Sequence, residues 1–138
     1  MEKVSKKQIN AAMNFFRAEL FKRSPRMEHN LFIDIKLKSK LDADGWCYVE
    51  DDDARPREFM IVLNKDIKSI ELLTTLAHEM VHVWQYASGK LRQYADGSYR
   101  YSKQKYEANT PYLHRPWEGE AFEKEQKLVN LWLNRNTA

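Results

Sequence analysis

The chain has 138 residues, of which 43% are hydrophobic, 31% charged and 12% aromatic, a composition typical of one folded domain and not of a disordered segment. Its net charge of +3 is too small to indicate nucleic-acid binding by itself, and a single cysteine excludes an intrachain disulfide and a four-cysteine zinc ribbon. The start lacks the apolar core of a signal peptide, and no run approaches the roughly 18 apolar residues of a membrane helix. We therefore expect a protein of a reducing compartment that does not associate with membranes.

The first half of the sequence predicts one helix followed by three strands. Apolar residues recur at helical spacing in "SKKQINAAMNFFRAELFKR", with Ser5 as the N-cap and Pro25 as the residue that ends the helix. Alternation in "NLFIDIKLKSK" predicts a half-buried strand, and "WCYVE" predicts a second, short strand. The third strand, "REFMIVLN", is apolar almost throughout, which is typical of the centre of a sheet.

The second half predicts two more helices around a hairpin. A long helix extends from about Ser69 to Tyr86, and Gly89 suits its end. "LRQYADGSYRYSKQKY" reads as a hairpin or an extended loop with Asp96-Gly97 at its turn, and the last helix starts with Pro116 in "PWEGEAFEKEQKLVNLWL". The order of elements predicts a single α+β domain over residues 1–138, in which helices cover one face of a small, mostly antiparallel sheet.

The long helix carries the pattern H-E-x-x-H at His78, Glu79 and His82. Two histidines four residues apart lie above one another on one helix face, so their imidazoles can bind the same metal ion. Glu79 lies about 100° further round the helix, where it can take a proton from a metal-bound water without being a ligand. Because zinc makes such a water acidic enough to attack a carbonyl near neutral pH, the pattern predicts a zinc-dependent hydrolase with Glu79 as the base.

The polarity of the same helix favours a functional site over an ordinary buried histidine. Thr75, His78, His82 and Gln85 form a narrow polar stripe along one side of this helix. The apolar residues against which it is set are Leu72, Leu73, Leu76, Ala77, Met80, Val81, Val83 and Trp84. Burying such groups without partners is unfavourable, and a metal ion or a cleft offsets that cost. The alternative is a pair of histidines whose polar atoms are satisfied within the core.

A catalytic zinc ion takes three protein ligands and keeps one position open, so a third ligand is needed. Glu118, in the first turn of the last predicted helix, is the main candidate. His114 in the preceding loop and Glu120, about 200° round the helix from Glu118, are the alternatives. An acidic residue there also complements the helix dipole, which explains it without a metal. We predict one zinc ion per chain, held by His78, His82 and Glu118.

Two segments carry a family resemblance. The strand "MIVLN" ends in asparagine, and the helix after a short spacer reads "TLAHEMVHVWQ". Together they resemble the active site of SprT-like zinc metallopeptidases, small zincins of phages and bacteria, over about residues 57–125.

The chain lacks the third histidine soon after the motif and the cysteine-rich ribbon of the best-known members. Its "WEGEA" instead resembles the glutamate helix of gluzincin-type peptidases, and aligning Ala121 with the alanine of their E-x-x-A segment selects Glu118. Phe122 replaces the Asp or Asn that many such enzymes have next.

The resemblance implies a zincin-like fold and a peptidase that acts on peptide or protein substrates in the cytoplasm of a bacterium or a phage-infected host cell. Glu79 would be the general base and would return the proton to the leaving amine. Tyr112, His114 and Arg115 in "NTPYLHRP" are candidate donors to the oxyanion, with Tyr112 preferred. An edge strand, such as "WCYVE", would pair with an extended substrate.

Two other functional hypotheses stay open. The domain could be a catalytically silent metal-binding module that contacts protein or DNA through "KLRQYADGSYRYSKQKY", a stretch that mixes basic residues with tyrosines. An ordinary exposed hairpin is the favoured explanation of that composition. The other hypothesis is a peptidase that stays inactive until a partner opens its cleft.

Overall fold

Four α-helices and two three-stranded sheets make up residues 4–136, the part of the chain that this computed structural model describes. In chain order the elements are α1 (Lys6–Leu20), α2 (Pro25–His29), β1 (Phe32–Lys38), β2 (Gly45–Val49), β3 (Glu58–Asn64), α3 (Ser69–Ala87), β4 (Leu91–Gln93), β5 (Tyr99–Tyr101), β6 (Gln104–Tyr106), a 3₁₀ turn (Tyr112–His114) and α4 (Pro116–Leu133). The predicted α+β class is confirmed. Within residues 4–136, no helix combines the length and the apolarity that a membrane crossing requires.

Helix α1 begins at Ser5, as the sequence predicts. The Ser5 hydroxyl accepts a hydrogen bond from the Gln8 backbone N–H at 3.1 Å, and the Gln8 side chain accepts one from the Ser5 N–H at 2.8 Å, which together form a capping box. The prediction that Pro25 ends this helix is wrong, because α1 ends at Leu20 and Pro25 begins α2. Proline suits a first helical turn since that position needs no N–H donor.

Strand β3 is the centre of the first sheet, as its nearly continuous apolar sequence predicts. β1 pairs with it in parallel, with Ile35 opposite Ile61, and β2 pairs with it antiparallel on the other side, with Cys47 opposite Ile61. Most strand pairs within residues 4–136 are antiparallel, as predicted, but β1 is parallel to β3, and three later strands form a second sheet where one sheet was expected. The alternation of β1 defines its buried face but not the direction of its neighbour, because both kinds of pairing share a period of two.

Helix α3 is the central element of the core. Asn64 fixes the turn before it, since its Oδ1 accepts from the Asp66 N–H at 2.9 Å and its Nδ2 donates to the Ala43 carbonyl at 3.4 Å. α3 packs on β2 and β3 and contacts α1 and α4 on its other sides. Gly89 follows its end with φ +80°, as expected for a helix C-terminus. The buried apolar residues of α3 are Leu72, Leu76, Ala77, Met80, Val81, Val83 and Ala87.

The predicted hairpin forms a second sheet of three antiparallel strands, β4, β5 and β6. Its first turn contains Gly97 at φ +88°, which agrees with the predicted Asp96-Gly97 turn, and Ser102 at φ +56° lies in the second turn. One face of this sheet packs on Trp117 at the start of α4, whose ring centroid is 4.6 Å from that of Tyr99 and 5.4 Å from that of Tyr106. The second sheet thereby holds the N-terminal end of α4 against α3.

Candidate metal centre

Most of the polar stripe of α3 is withdrawn from solvent. His78 and His82 are each 8% exposed and Gln85 is fully buried, whereas Thr75 is half-buried. Glu79, which lies beside the stripe, is 7% exposed. α4 crosses this face of α3 and brings its own acidic residues onto the stripe. The polar side chains of α3 are therefore paired with side chains of another helix, a pairing that the sequence of α3 alone does not specify.

Glu118 lies between the two histidines. Its Oε1 is 2.9 Å from His78 Nε2 and 3.1 Å from His82 Nε2. One ligand atom from each of the three residues lies within 4.8 Å of the other two, close enough to bind one metal ion. The structure thus brings together the three residues that the sequence selects as ligands, and it forms a candidate metal-binding triad.

The two alternative third ligands lie elsewhere. Glu120 points to the opposite side of α4, where it accepts hydrogen bonds from Gln85 and from the Tyr101 hydroxyl and pairs with Lys90. His114 is exposed in the 3₁₀ turn. The two-residue offset between Glu118 and Glu120 rotates their side chains about 200° apart, which is why only the first faces the histidines.

Two further residues hold the histidines from behind, and neither was assigned this role from the sequence. Glu125 Oε1 lies 2.8 Å from His78 Nδ1, and Gln85 Oε1 lies 2.8 Å from His82 Nδ1. Phe122 packs on the His78 ring at 4.9 Å between centroids. Glu125 follows Glu118 by seven residues, so it lies on the same face of α4 two turns later; that spacing was the available signal.

The electrostatics of the cluster link the histidines to these acids. Burial by itself lowers the pKa of His78, but hydrogen bonds to Glu118 and Glu125 outweigh it and raise the pKa from 6.5 to about 9. His82 behaves likewise, because the hydrogen bond to Glu118 raises its pKa against the effect of burial. Burial raises the pKa of Glu118, but its hydrogen bonds with the two histidines dominate and lower it. Without a metal, these hydrogen bonds favour the protonated form of both histidines and the ionised form of Glu118.

Glu79 lies in the wall of the same cleft. Burial raises the pKa of its carboxyl, the neighbouring histidines lower it, and Glu118 and Glu125 raise it further, with a net increase. A carboxylate with a raised pKa is a better proton acceptor near neutral pH than an exposed one. Cys47 lines the cleft too, but burial and the charge of Glu79 raise its thiol pKa well above 9.0, so it is present as a thiol and not as a metal-binding thiolate.

An open cleft of about 890 Å³ gives access to the triad. One wall is β2, an edge strand of the first sheet, as proposed for "WCYVE". β2 approaches α3 closely because Gly45 has no side chain: a Cβ there would lie 2.8 Å from Thr75 Cγ2. Tyr112 and Arg115 line the cleft, and the Tyr112 hydroxyl donates to Glu118 Oε1 at 3.0 Å, whereas His114 is not part of the lining.

Comparisons of the chain with protein-family models, with curated proteins and with solved structures find no match. Chemically, the site offers two imidazole nitrogens and one carboxylate oxygen around a common point, with a buried carboxylate and a tyrosine hydroxyl beside them in an open cleft.

Proposed function

We propose that the protein is a zinc-dependent metallopeptidase of the zincin-like, SprT-like kind, with one zinc ion per chain. The observation that carries the proposal is the convergence of His78, His82 and Glu118 beside Glu79 in an open cleft. The resemblance of "TLAHEMVHVWQ" to the active-site helix of that family supports it from the sequence.

The ligand set and its surroundings fit zinc. Two imidazoles and one carboxylate are a common catalytic zinc set, and three protein ligands leave a position for water or substrate. Gln85 Oε1 can only accept a hydrogen bond, so it favours a proton on His82 Nδ1 and leaves the Nε2 lone pair free for the metal. The Glu125 carboxylate does the same at His78.

The roles of the protein groups follow from their positions. Bound zinc supplies a Lewis acid that lowers the pKa of water and polarises a carbonyl. Glu79 takes the proton of the attacking water and returns it to the leaving amine. The Tyr112 hydroxyl, which reaches Glu118 in the cleft, turns to donate to the oxyanion of the tetrahedral intermediate.

The cleft also favours an extended peptide as substrate. β2 has β3 on one side only, so its other edge carries backbone N–H and C=O groups that a peptide strand can pair with. Large apolar side chains at the cleft are exposed, among them Trp46, Tyr48 and Phe122. They provide apolar contacts for substrate side chains on either side of the scissile bond.

Two measurements test the proposal. Protein purified without chelators should contain about one zinc per chain by elemental analysis, and it should cleave a peptide library or casein in a reaction that EDTA stops and added zinc restores. Failure to take up zinc would overturn the proposal, and the histidine–glutamate cluster would then be a buried ion-pair network. Stoichiometric zinc without cleavage would favour a binding module or a partner-dependent enzyme.

A second candidate function, nucleic-acid binding, is favoured by one observation on the second sheet. Arg92 stands opposite Arg100, and Arg100 stands opposite Lys105, so three basic residues form a row across one face. Residues 90–106 hold five basic residues and one acidic residue, a net +4, and since the whole chain carries +3 the remainder sums to −1. Such a row of positive charges can neutralise phosphates of a nucleic-acid backbone.

The tyrosines of this segment support that candidate less than their sequence suggested. Three of its four tyrosines, Tyr99, Tyr101 and Tyr106, lie on the opposite face and pack around Trp117, so they are not free to stack on bases. The Arg92 guanidinium lies over the ring of the fourth, Tyr94, at 5.0 Å. We therefore expect contacts mainly to phosphates. Binding of single-stranded DNA should weaken with salt and with Arg100→Ala plus Lys105→Ala, and equal binding by this variant would exclude the row as the contact.

A further inference from the structure

Gln85 is fully buried and uses every polar atom of its side chain. Its Oε1 lies 2.8 Å from His82 Nδ1, and its Nε2 donates to the Trp117 carbonyl and to Glu120 Oε1, each at 2.9 Å. The amide therefore connects a predicted zinc ligand at one end with two oxygen acceptors at the other.

The orientation of this amide determines which nitrogen of His82 carries a proton. With Oε1 toward the ring, Nδ1 keeps its proton, and Nε2, which faces Glu118 Oε1 at 3.1 Å, is the nitrogen that gives up its proton when a metal binds. A flipped amide would present NH₂ to Nδ1, move the ring proton to Nε2 and block the metal. The flip would also place Gln85 Oε1 against the oxygens of Trp117 and Glu120, which have no proton to donate.

Two further residues hold the Glu120 carboxyl in place. Its Oε1 accepts from the Tyr101 hydroxyl at 2.8 Å, and its Oε2 pairs with Lys90. Both oxygens of the Glu120 carboxyl therefore act as acceptors, Oε1 toward Gln85 and the Tyr101 hydroxyl and Oε2 toward Lys90. Tyr101 lies in β5 and Lys90 directly precedes β4. The second sheet is therefore connected to the candidate metal centre through the Glu120 carboxylate.

We propose that Glu120 is a positioning residue for the metal centre: through Gln85 it holds His82 in the tautomer whose Nε2 can bind the metal. The inference rests on the proposed zinc binding and adds to it a residue that never touches the metal. The Trp117 carbonyl favours the same amide orientation, so removing Glu120 weakens the preference without abolishing it.

The test compares two substitutions of equal length. Glu120→Met removes the acceptor and keeps the volume, whereas Glu120→Gln keeps an oxygen that can accept from Gln85. Glu123→Met is the control, because Glu123 is an exposed residue of the same helix whose carboxylate pairs with Lys127 at 3.9 Å. Zinc affinity is measured by competition with a chromogenic chelator, and the exchange of the imidazole Nδ1–H protons with water is measured by NMR in the zinc-loaded, ¹⁵N-labelled protein.

We expect Glu120→Met to weaken zinc binding by about tenfold, at the low end for residues that support a ligand from behind. The Nδ1–H of His82 should exchange faster, while that of His78, which is held by Glu125, should not change. Glu120→Gln should restore most of the affinity. If Glu120→Met does not fold, Glu120→Ala carries the same test.

Two results would overturn this inference while leaving the zinc proposal intact. One is a Glu120→Met variant that binds zinc as tightly as the Glu123→Met control. The other is equally faster exchange at both histidines, which indicates general loosening of the α3–α4 contact. If the unchanged protein takes up no zinc, the proposed function itself fails, and the positioning role fails with it.

Discussion

The two halves of the candidate metal centre are built differently. At the His78 end, the supporting group is a carboxylate, Glu125, and it comes from α4. At the His82 end, the supporting group is a neutral amide, Gln85, and it comes from α3 itself, with Glu120 behind it. The first end depends on how α4 lies across α3 and adds negative charge to the site, whereas the second end depends mainly on local helix spacing. The difference implies that the His78 end responds more strongly to changes in charge and pH.

The largest effect is expected from Glu118→Ala, which removes the group that both ends share. Its Oε1 contacts the Nε2 atoms of His78 and His82, so zinc affinity should fall by more than about 100-fold, beyond the range for supporting residues. Activity should be lost with the metal, and zinc should no longer raise the melting temperature, because a metal that binds only the native state stabilises it. Competition with a chromogenic chelator and thermal melts with and without EDTA measure both.

His114→Ala is the matched control, since this histidine is exposed and lies outside the cleft lining. It should keep zinc. Zinc loss in His114→Ala with retention in Glu118→Ala would contradict the choice of third ligand and the E-x-x-A alignment with it.

Glu79→Gln should abolish proton transfer without affecting metal binding by either histidine. Glu79 lines the cleft but is not one of the three converging ligands, so the variant should keep its zinc and its fold. The amide cannot accept the proton, and the rate of peptide cleavage should fall by about 10² to 10⁴-fold. Elemental analysis beside the cleavage assay is the measurement. A variant that loses zinc would make Glu79 a ligand and not the base.

The two supports can be compared directly by removing each in turn. Glu125→Ala should weaken zinc binding by about 10- to 100-fold, because His78 loses the acceptor that orients its ring. Glu120→Met, which acts on His82 only through Gln85, should cost less. Chelator competition on both variants, with Glu123→Met as control, gives the order. The reverse order would show that the His82 end, and not the His78 end, limits metal binding.

The sequence predicted the parts of the site that follow from spacing within one helix. His78 and His82 share a face because they are four residues apart, and Glu118 was selected by its place in the first turn of the last helix. The seven-residue spacing places Glu125 on the same face of α4 as Glu118, but the contacts of Glu125 with His78 and of Glu120 with Gln85 also depend on how α4 packs across α3, which no local pattern specifies. The same limit applies to the fold, where the apolar run of β3 predicted a central strand but nothing local predicted that β1 pairs with it in parallel.

The smallest effect is the pH dependence of the metal-free protein. In the folded state the pKa of His78 rises from 6.5 to about 9, since its hydrogen bonds to Glu118 and Glu125 outweigh the effect of burial. A raised folded-state pKa means that this stabilisation is fully present below pH 6.5 and is lost as pH rises to about 9. In EDTA, the melting temperature should therefore fall by a few degrees across this range.

Glu125→Ala should flatten that dependence, because one of the two hydrogen bonds that raise the pKa of His78 is gone. His114→Ala, which lies outside the cluster, should leave it unchanged. Thermal melts of the three proteins in EDTA between about pH 6 and 9.5 give the comparison, and the slopes are compared because Glu125→Ala lowers the stability at every pH. An unchanged slope in Glu125→Ala would mean that the carboxylate from α4 does not set the charge of His78. The charge difference between Glu125 at His78 and Gln85 at His82 would then not explain how the two ends of the metal centre respond to pH.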